Sequence, residues 1–388
     1  MITTSEFAEK YGEEILKCPQ CGFCQADCPV FGVTQRPAYN ARGRILVLKK
    51  FLDGSIKPSG ELAEAFYTCT NCKACTVSCP GMVRVDEIVK EFRRILYASG
   101  FTPESALAIR DNIANTGNVF SSKQEDRTEI YPRTPKATLL KEGPNPKAET
   151  LLFFGCVPSY LDMKIVPSLF KLAEAANLDF TTLGTDEICC GLPMMLVGSD
   201  EFESHARKMV KQIEGTGACE LVTPCAGCYK MFNEHYSHIG GVGIPVYHSI
   251  EYLEKLINDG ALTLDRPLEK KVTYHDPCDL GRSSGIFEQP RNIIKKIPGI
   301  KFVEMSKNRN EARCCGGGGG VQAFNPDLSV SMAAQRVRDA LEVGAEIIVS
   351  GCAACKDNLK KGSRSIPKIE RGKLKIMDIT EIVSQVIG

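Results

Sequence analysis

Eight of the 19 cysteines fall in two copies of one tight run, Cys18-x2-Cys21-x2-Cys24-x3-Cys28-Pro29 and Cys69-x2-Cys72-x2-Cys75-x3-Cys79-Pro80. No other feature narrows the possible folds so far. A CxxCxxC arc wraps three corners of a [4Fe–4S] cubane, and the fourth cysteine, three residues on and followed by proline, ligates the other cluster of such a pair. Cys18, Cys21, Cys24 and Cys79 are therefore expected on one cubane, and Cys69, Cys72, Cys75 and Cys28 on a second. Structural zinc uses one set of four with a longer gap between its CxxC pairs, which this tight quartet lacks. Swapped ligation ties both runs into one unit, so the first hundred residues should be short helices separated by cysteine loops.

Composition sets the outer limits. With 388 residues, 43% of them hydrophobic, the chain has enough apolar material for two or three domains. A net charge of +1 gives no broad footprint for nucleic acid or an anionic membrane. A secreted disulfide scaffold would be shorter and would follow a signal peptide. Here the N-terminus, MITTSEFAEKYGEEILK, is polar and helical, with no apolar stretch. The most apolar segments, Leu151 to Val157 and Ile45 to Leu52, are far too short to cross a bilayer. The expectation is a cytoplasmic protein with reduced thiols, without a membrane span, whose membrane contact, if any, comes through a partner.

Val85, Ile88, Val89, Phe92, Ile95 and Leu96 recur at i, i+3 and i+4, which predicts an amphipathic helix over 83–98. Residues 121–149 are polar, carry four prolines and read as a linker. Beyond them the chain repeats itself. Cys156, Cys189-Cys190-Gly191 and Cys225-x-x-Cys228 are matched by Cys278, Cys314-Cys315-Gly316 and Cys352-x-x-Cys355, at offsets of 122 to 127 positions. Each copy shows the same rhythm. Strands at 151–154 and 272–274 end near the first cysteine, and helices follow at 164–176 and 290–297. Strands at 180–183 and 301–304 lead to the CC pair. Helices at 200–214 and 327–342 precede strands at 220–223 and 346–350, which end at CxxC. The cysteines thus gather beyond the carboxyl ends of strands, where open α/β sheets place ligands.

Adjacent cysteines need a turn to face one ligand, and the glycines that follow permit it. The run Gly316–Gly320 lets backbone come close to whatever the cysteines bind. It does not match a phosphate cradle, because no Lys-Ser/Thr follows and Val321 breaks the GxGxxG spacing.

These motifs resemble those of the CCG-domain iron–sulfur proteins, of which heterodisulfide reductase is the best-understood type. Two cubane motifs followed by two CCG domains is the layout of its D subunit, and the resemblance covers essentially the whole chain. The first repeat has 34 residues before its CxxC against 36 in the second, which reads as a loop deletion. The resemblance implies an α/β plus α-helical fold. A helical ferredoxin domain would cover 1–100, a helix and linker 101–148, a first CCG domain 149–262 and a second 268–388. It implies one non-cubane [4Fe–4S] cluster on Cys156, Cys189, Cys190, Cys225 and Cys228, and another on Cys278, Cys314, Cys315, Cys352 and Cys355. Two cubanes would relay electrons to these two clusters, which would reduce a thiol disulfide such as CoM-S-S-CoB in an anaerobic oxidoreductase complex. The alternative it allows is an electron-transfer subunit of an FAD-dependent 2-hydroxyacid or glycerol-3-phosphate dehydrogenase. Either implies a second redox subunit, a membrane b-type cytochrome or an FAD-linked dehydrogenase.

One cysteine, Cys219, is left over and reads as a semi-buried thiol, so no protein dithiol is available for exchange. His275, three residues before Cys278, is a candidate catalytic proton donor to a departing thiolate; a hydrogen bond to cluster sulfur accounts for its position equally well. His205, His235, His238 and His248 are expected on exposed helices or loops. Arg36, Arg42 and Arg44 read as an exposed helix face, with partner docking as the other possibility.

Overall fold

The computed structural model describes residues 2–143 and 148–388. The N-terminal third is helical and closes on an aromatic core. Phe7, Phe51, Phe66 and Phe92 pack edge-on or tilted, with ring centroids 4.5–6.3 Å apart. The predicted amphipathic helix is present as Val85–Ala98, and the six apolar residues that predicted it are all buried. The first helix, Thr4–Leu16, starts with a capping box between Thr3 and Glu6.

Each repeat forms its own four-stranded parallel sheet. The first comprises β1 (Thr150–Leu152), β2 (Phe180–Thr182), β3 (Glu220–Thr223) and β4 (Val246–His248), in the order β2-β1-β3-β4. The second comprises β5 (Lys270–His275), β6 (Ile300–Phe302), β7 (Ile347–Ser350) and β8 (Lys375–Asp378), in the matching order β6-β5-β7-β8. The tandem repeat is therefore a repeat of fold, with one strand per sheet, β4 and β8, that the sequence pattern did not reveal.

The two sheet domains share one apolar core and pack around an approximate two-fold relation. Helix Ile165–Ala175, which follows β1, packs on the last helix, Ile379–Val386; helix Ser249–Asn258, which follows β4, packs on Glu288–Lys296, which follows β5. Two reciprocal ion pairs join the faces. Lys230, just after the first CxxC, meets Asp279 at 3.2 Å, and Lys356, just after the second CxxC, meets Asp162 at 2.7 Å.

The segment expected to be a linker folds onto the first sheet domain instead. It carries helices Asp126–Glu129 and Pro135–Glu142, and Tyr131, Ala137 and Leu140 join the apolar core. Tyr131 packs against Phe154 and Phe170, and Arg127 is fully buried against Glu187. These few long-range contacts hold a polar, proline-rich stretch that has no periodicity of its own. Residues 144–147 of that stretch lie outside the described residues.

Candidate metal centre

The cysteines, except Cys219, gather into four groups. In the helical domain Cys18, Cys21, Cys24 and Cys79 lie together, and burial with the neighbouring Cys18, Cys79 and Cys21 pushes the Cys24 thiol up to about 11. Cys21 is exposed, so this outer group meets the surface. The inner group, Cys28, Cys69, Cys72 and Cys75, lines one cavity together with Val30, Arg44 and Asn71. Cys28 reaches it from the first motif and the other three from the second.

In the first sheet domain the chain turns at Gly155, whose φ is +81°, and Cys156 opens a short helix. A Cβ at position 155 would sit 2.9 Å from Cys228 Sγ, so only glycine lets the strand end pass over that sulfur. The thiols form a chain of contacts, Cys156 to Cys189, Cys190 to Cys228 and Cys228 to Cys225, with Cys189 beside Cys190. In the second domain Cys278 meets Cys314, which lies beside Cys315, and Cys352 meets Cys355. Cys315 Sγ and Cys355 Sγ are 3.2 Å apart, well beyond the roughly 2.05 Å of a disulfide. Backbone N–H groups turn toward the sulfurs: Gly191 to Cys189 at 3.4 Å, Gly316 to Cys314 at 3.3 Å and Gly317 to Cys315 at 3.4 Å.

This donor chemistry fits an iron–sulfur group. Neighbouring thiols and burial hold Cys156 and Cys228 well above the usual thiol range, and Cys314 and Cys355 behave likewise. Five crowded sulfurs cannot all ionise in a buried site unless a cationic metal group compensates them.

The four groups form a chain of neighbours. Cys72 of the inner ferredoxin group touches Cys314 of the second sheet domain, and the two share one small buried cluster. Cys225 and Cys352 lie close enough for their charges to interact, joining the two sheet domains' groups. The order is outer ferredoxin, inner ferredoxin, second CCG and first CCG.

His275 is buried beside Cys315 and Cys355, with one ring nitrogen within 4.8 Å of both sulfurs. Its Nδ1 accepts a hydrogen bond from Arg336 Nε at 3.2 Å, and the ring also hydrogen-bonds with Cys315. The other histidines depart from expectation. His205 is buried with Nε2 2.6 Å from Cys189 O, His248 is buried with Nδ1 accepting from Ile250 N, and His235 is buried; His238 alone is exposed. Arg44 is buried as well, donating to Ala65 O at 2.8 Å and to Thr68 Oγ1 at 3.3 Å, whereas Arg36 is exposed as expected. Cys219 is exposed rather than semi-buried.

Several buried cations around the sites carry no sequence expectation. Arg127, beside Cys156, pairs with Glu187, whose carboxylate also accepts from Phe154 N and Gly155 N. Arg93 donates to Cys69 O, Leu196 O and Gly319 O, and so ties the helical domain to both sheet domains. A legible signal did exist for two others: a lysine follows each CxxC at Lys230 and Lys356.

Comparison with known proteins agrees with this architecture. A family described as "Cysteine-rich domain" matches residues 150–233 and 272–360, and one described as "4Fe-4S dicluster domain" matches 14–83. The D subunit of the dihydromethanophenazine:CoB–CoM heterodisulfide reductase of Methanosarcina acetivorans is 32% identical over 97% of this chain and 94% of its own length. The chain belongs to the family of heterodisulfide reductase D subunits. It is thus an iron–sulfur oxidoreductase subunit with a dicluster ferredoxin domain and two CCG domains. A second relative, EtfAB:quinone oxidoreductase of Syntrophomonas wolfei, is 26% identical over 99% of this chain and 61% of its own length. Among solved structures, a hypothetical protein of Helicobacter pylori shares the fold with a TM-score of 0.55 at 12% identity, covering 100% of this chain and 77% of that one. No helix among the described residues is long and apolar enough to cross a membrane.

Proposed function

We propose that this protein passes electrons from two cubane [4Fe–4S] clusters to two non-cubane [4Fe–4S] clusters, which together reduce a small disulfide of the CoM-S-S-CoB class. The cubanes would be held by Cys18, Cys21, Cys24 and Cys79 and by Cys69, Cys72, Cys75 and Cys28. The non-cubane clusters would be held by Cys156, Cys189, Cys190, Cys225 and Cys228 and by Cys278, Cys314, Cys315, Cys352 and Cys355. Domain boundaries follow as 1–100, 101–148, 149–262 and 268–388. The observation that carries the reading is the presence of two complete five-cysteine groups related by an approximate two-fold, with the inner ferredoxin group abutting one of them.

Bound clusters of this kind supply one-electron steps, and two of them supply the two electrons that convert one disulfide and two protons into two thiols. The protein's own part is to hold the sites rigid and face to face. The Lys230–Asp279 and Lys356–Asp162 pairs bridge the two CCG domains beside the cysteine loops, and Lys356, fully buried, also meets Glu381 at 2.5 Å. His275 acts as a hydrogen-bond donor toward the cluster sulfurs, and proton donation to a departing thiolate is the other role its position serves. An arginine always donates, so the Arg336 contact to Nδ1 places the neutral ring's proton on Nε2, toward Cys315 and Cys355.

Electrons would enter from a second redox subunit, a membrane b-type cytochrome or an FAD-linked dehydrogenase, which would also supply any membrane attachment to an otherwise cytoplasmic chain. Likeness to an EtfAB:quinone oxidoreductase favours a second reading, in which the chain is only a wire between redox partners. The resemblance to flavin-dependent dehydrogenase subunits makes a 2-hydroxyacid or glycerol-3-phosphate dehydrogenase the partner in that reading. Anaerobic iron and sulfide quantitation, followed by a disulfide-reduction assay with a reduced dye, tests the choice. About sixteen iron atoms per chain with dye-dependent thiol release supports the first reading. Full iron content without thiol release supports the wire.

A further inference from the structure

Arg282 lies four residues beyond Cys278 and is 8% exposed. Three backbone carbonyls fix it. Nε donates to Cys72 O at 2.7 Å, and Nη1 donates to Ala312 O at 2.8 Å and Asn310 O at 3.2 Å. The first carbonyl belongs to the inner ferredoxin loop and the other two to the loop that leads into Cys314-Cys315. Nη2 is buried with no hydrogen-bond partner among the described residues. Once desolvated, the guanidinium interacts most strongly with the thiolate charges of Cys72, Cys278, Cys314 and Cys75, two from each neighbouring cysteine group. No carboxylate pairs with it among the described residues, in contrast to Arg127, which has Glu187, and Arg291, which has Asp276 and Glu304.

A buried guanidinium with a free N–H edge needs anionic acceptors. The thiolate-ligated groups on either side are the anions in reach. We propose that Arg282 is the shared cation of the inner ferredoxin cluster and the second CCG cluster, raising the reduction potential of both at the junction where electrons cross between domains. The inference rests on the cluster assignment above. A reduced cluster carries one more negative charge than its oxidised form, so a fixed cation in a low-dielectric setting favours reduction of both neighbours. Arg282 acts through the clusters' ligands and is a positioning residue. One electron leaves the inner ferredoxin cluster and one arrives at the CCG cluster, and no proton or bond change accompanies the transfer.

The test is an EPR-monitored redox titration of the full chain, with iron content measured on the same samples. In Arg282→Gln, two of the four cluster signals should move to lower potential while the outer ferredoxin and first CCG signals stay in place. Arg282→Lys, which keeps the charge and loses the carbonyl fork, should return both potentials to near the wild-type values. If all four signals are present and none moves in Arg282→Gln, or if all four move together, the proposal is overturned. Wild-type iron short of four clusters would fail the cluster assignment instead. If Arg282→Gln does not retain its clusters, Arg282→Lys is decisive alone: unchanged potentials with lower urea resistance support the shared cation, and shifted potentials refute it.

Discussion

A cysteine bound to iron is shielded from alkylating reagents, whereas an exposed free thiol is not. Cys219 is exposed and stands outside all four cysteine groups. In the anaerobic, cluster-filled protein, iodoacetamide should therefore label one cysteine per chain, at Cys219, as read by peptide mass spectrometry. Removal of iron should open the remaining cysteines to label. Label at any CCG cysteine before iron removal would contradict the ligand sets. At this scale cysteine spacing carried most of the information, since a metal site is written in residues a few positions apart. The buried polar residues were not legible. Arg44 is buried because Ala65 and Thr68, over twenty positions away, accept its N–H groups, and His205 because Cys189 offers a carbonyl. Such partners leave no trace in local pattern.

The five-glycine run shows what an element does once its neighbours are known. Its sequence promised close backbone approach to whatever the cysteines bind. In the fold it is also the seat on which the inner ferredoxin loop docks. A Cβ on Gly319, whose φ is +65°, would fall 2.2 Å from Cys69 O, and one on Gly318 would fall 2.8 Å from Thr70 O. Gly319→Ala should therefore cost about 1–3 kcal/mol and slow electron passage from the ferredoxin half to the second CCG domain. Urea titration and rapid-freeze EPR read the two effects. Gly54→Ala, at φ +77° in open space, isolates backbone strain and should leave the electron transfer unchanged. A Gly319→Ala protein with wild-type transfer would sink the docking account. The strands that escaped the sequence, β4 and β8, are three and four residues long and follow loops, too short for any periodicity to register. The helices at 126–129 and 135–142 escaped for the same reason.

At the scale of the whole molecule, two sheet domains face each other across reciprocal ion pairs, and the helical domain packs on both, with its inner cysteine group against the second. The tandem repeat was legible because the cysteine spacing recurs. The asymmetry of docking was not, because it depends on Arg93, Gly319 and Arg282 meeting backbone groups of distant segments. That asymmetry makes the second CCG site the neighbour of the wire and the first CCG site its far end. If the two sites act as a pair, neither suffices alone. The direct measurement is a single-turnover experiment: fully reduced chain, without dye, mixed with a small disulfide while thiol release is followed. The account predicts a burst of about four thiols per chain, because four one-electron clusters reduce two disulfides, and this burst vanishes in both Cys190→Ser and Cys315→Ser while the ferredoxin signals remain. A full burst surviving the loss of either CCG site would contradict it.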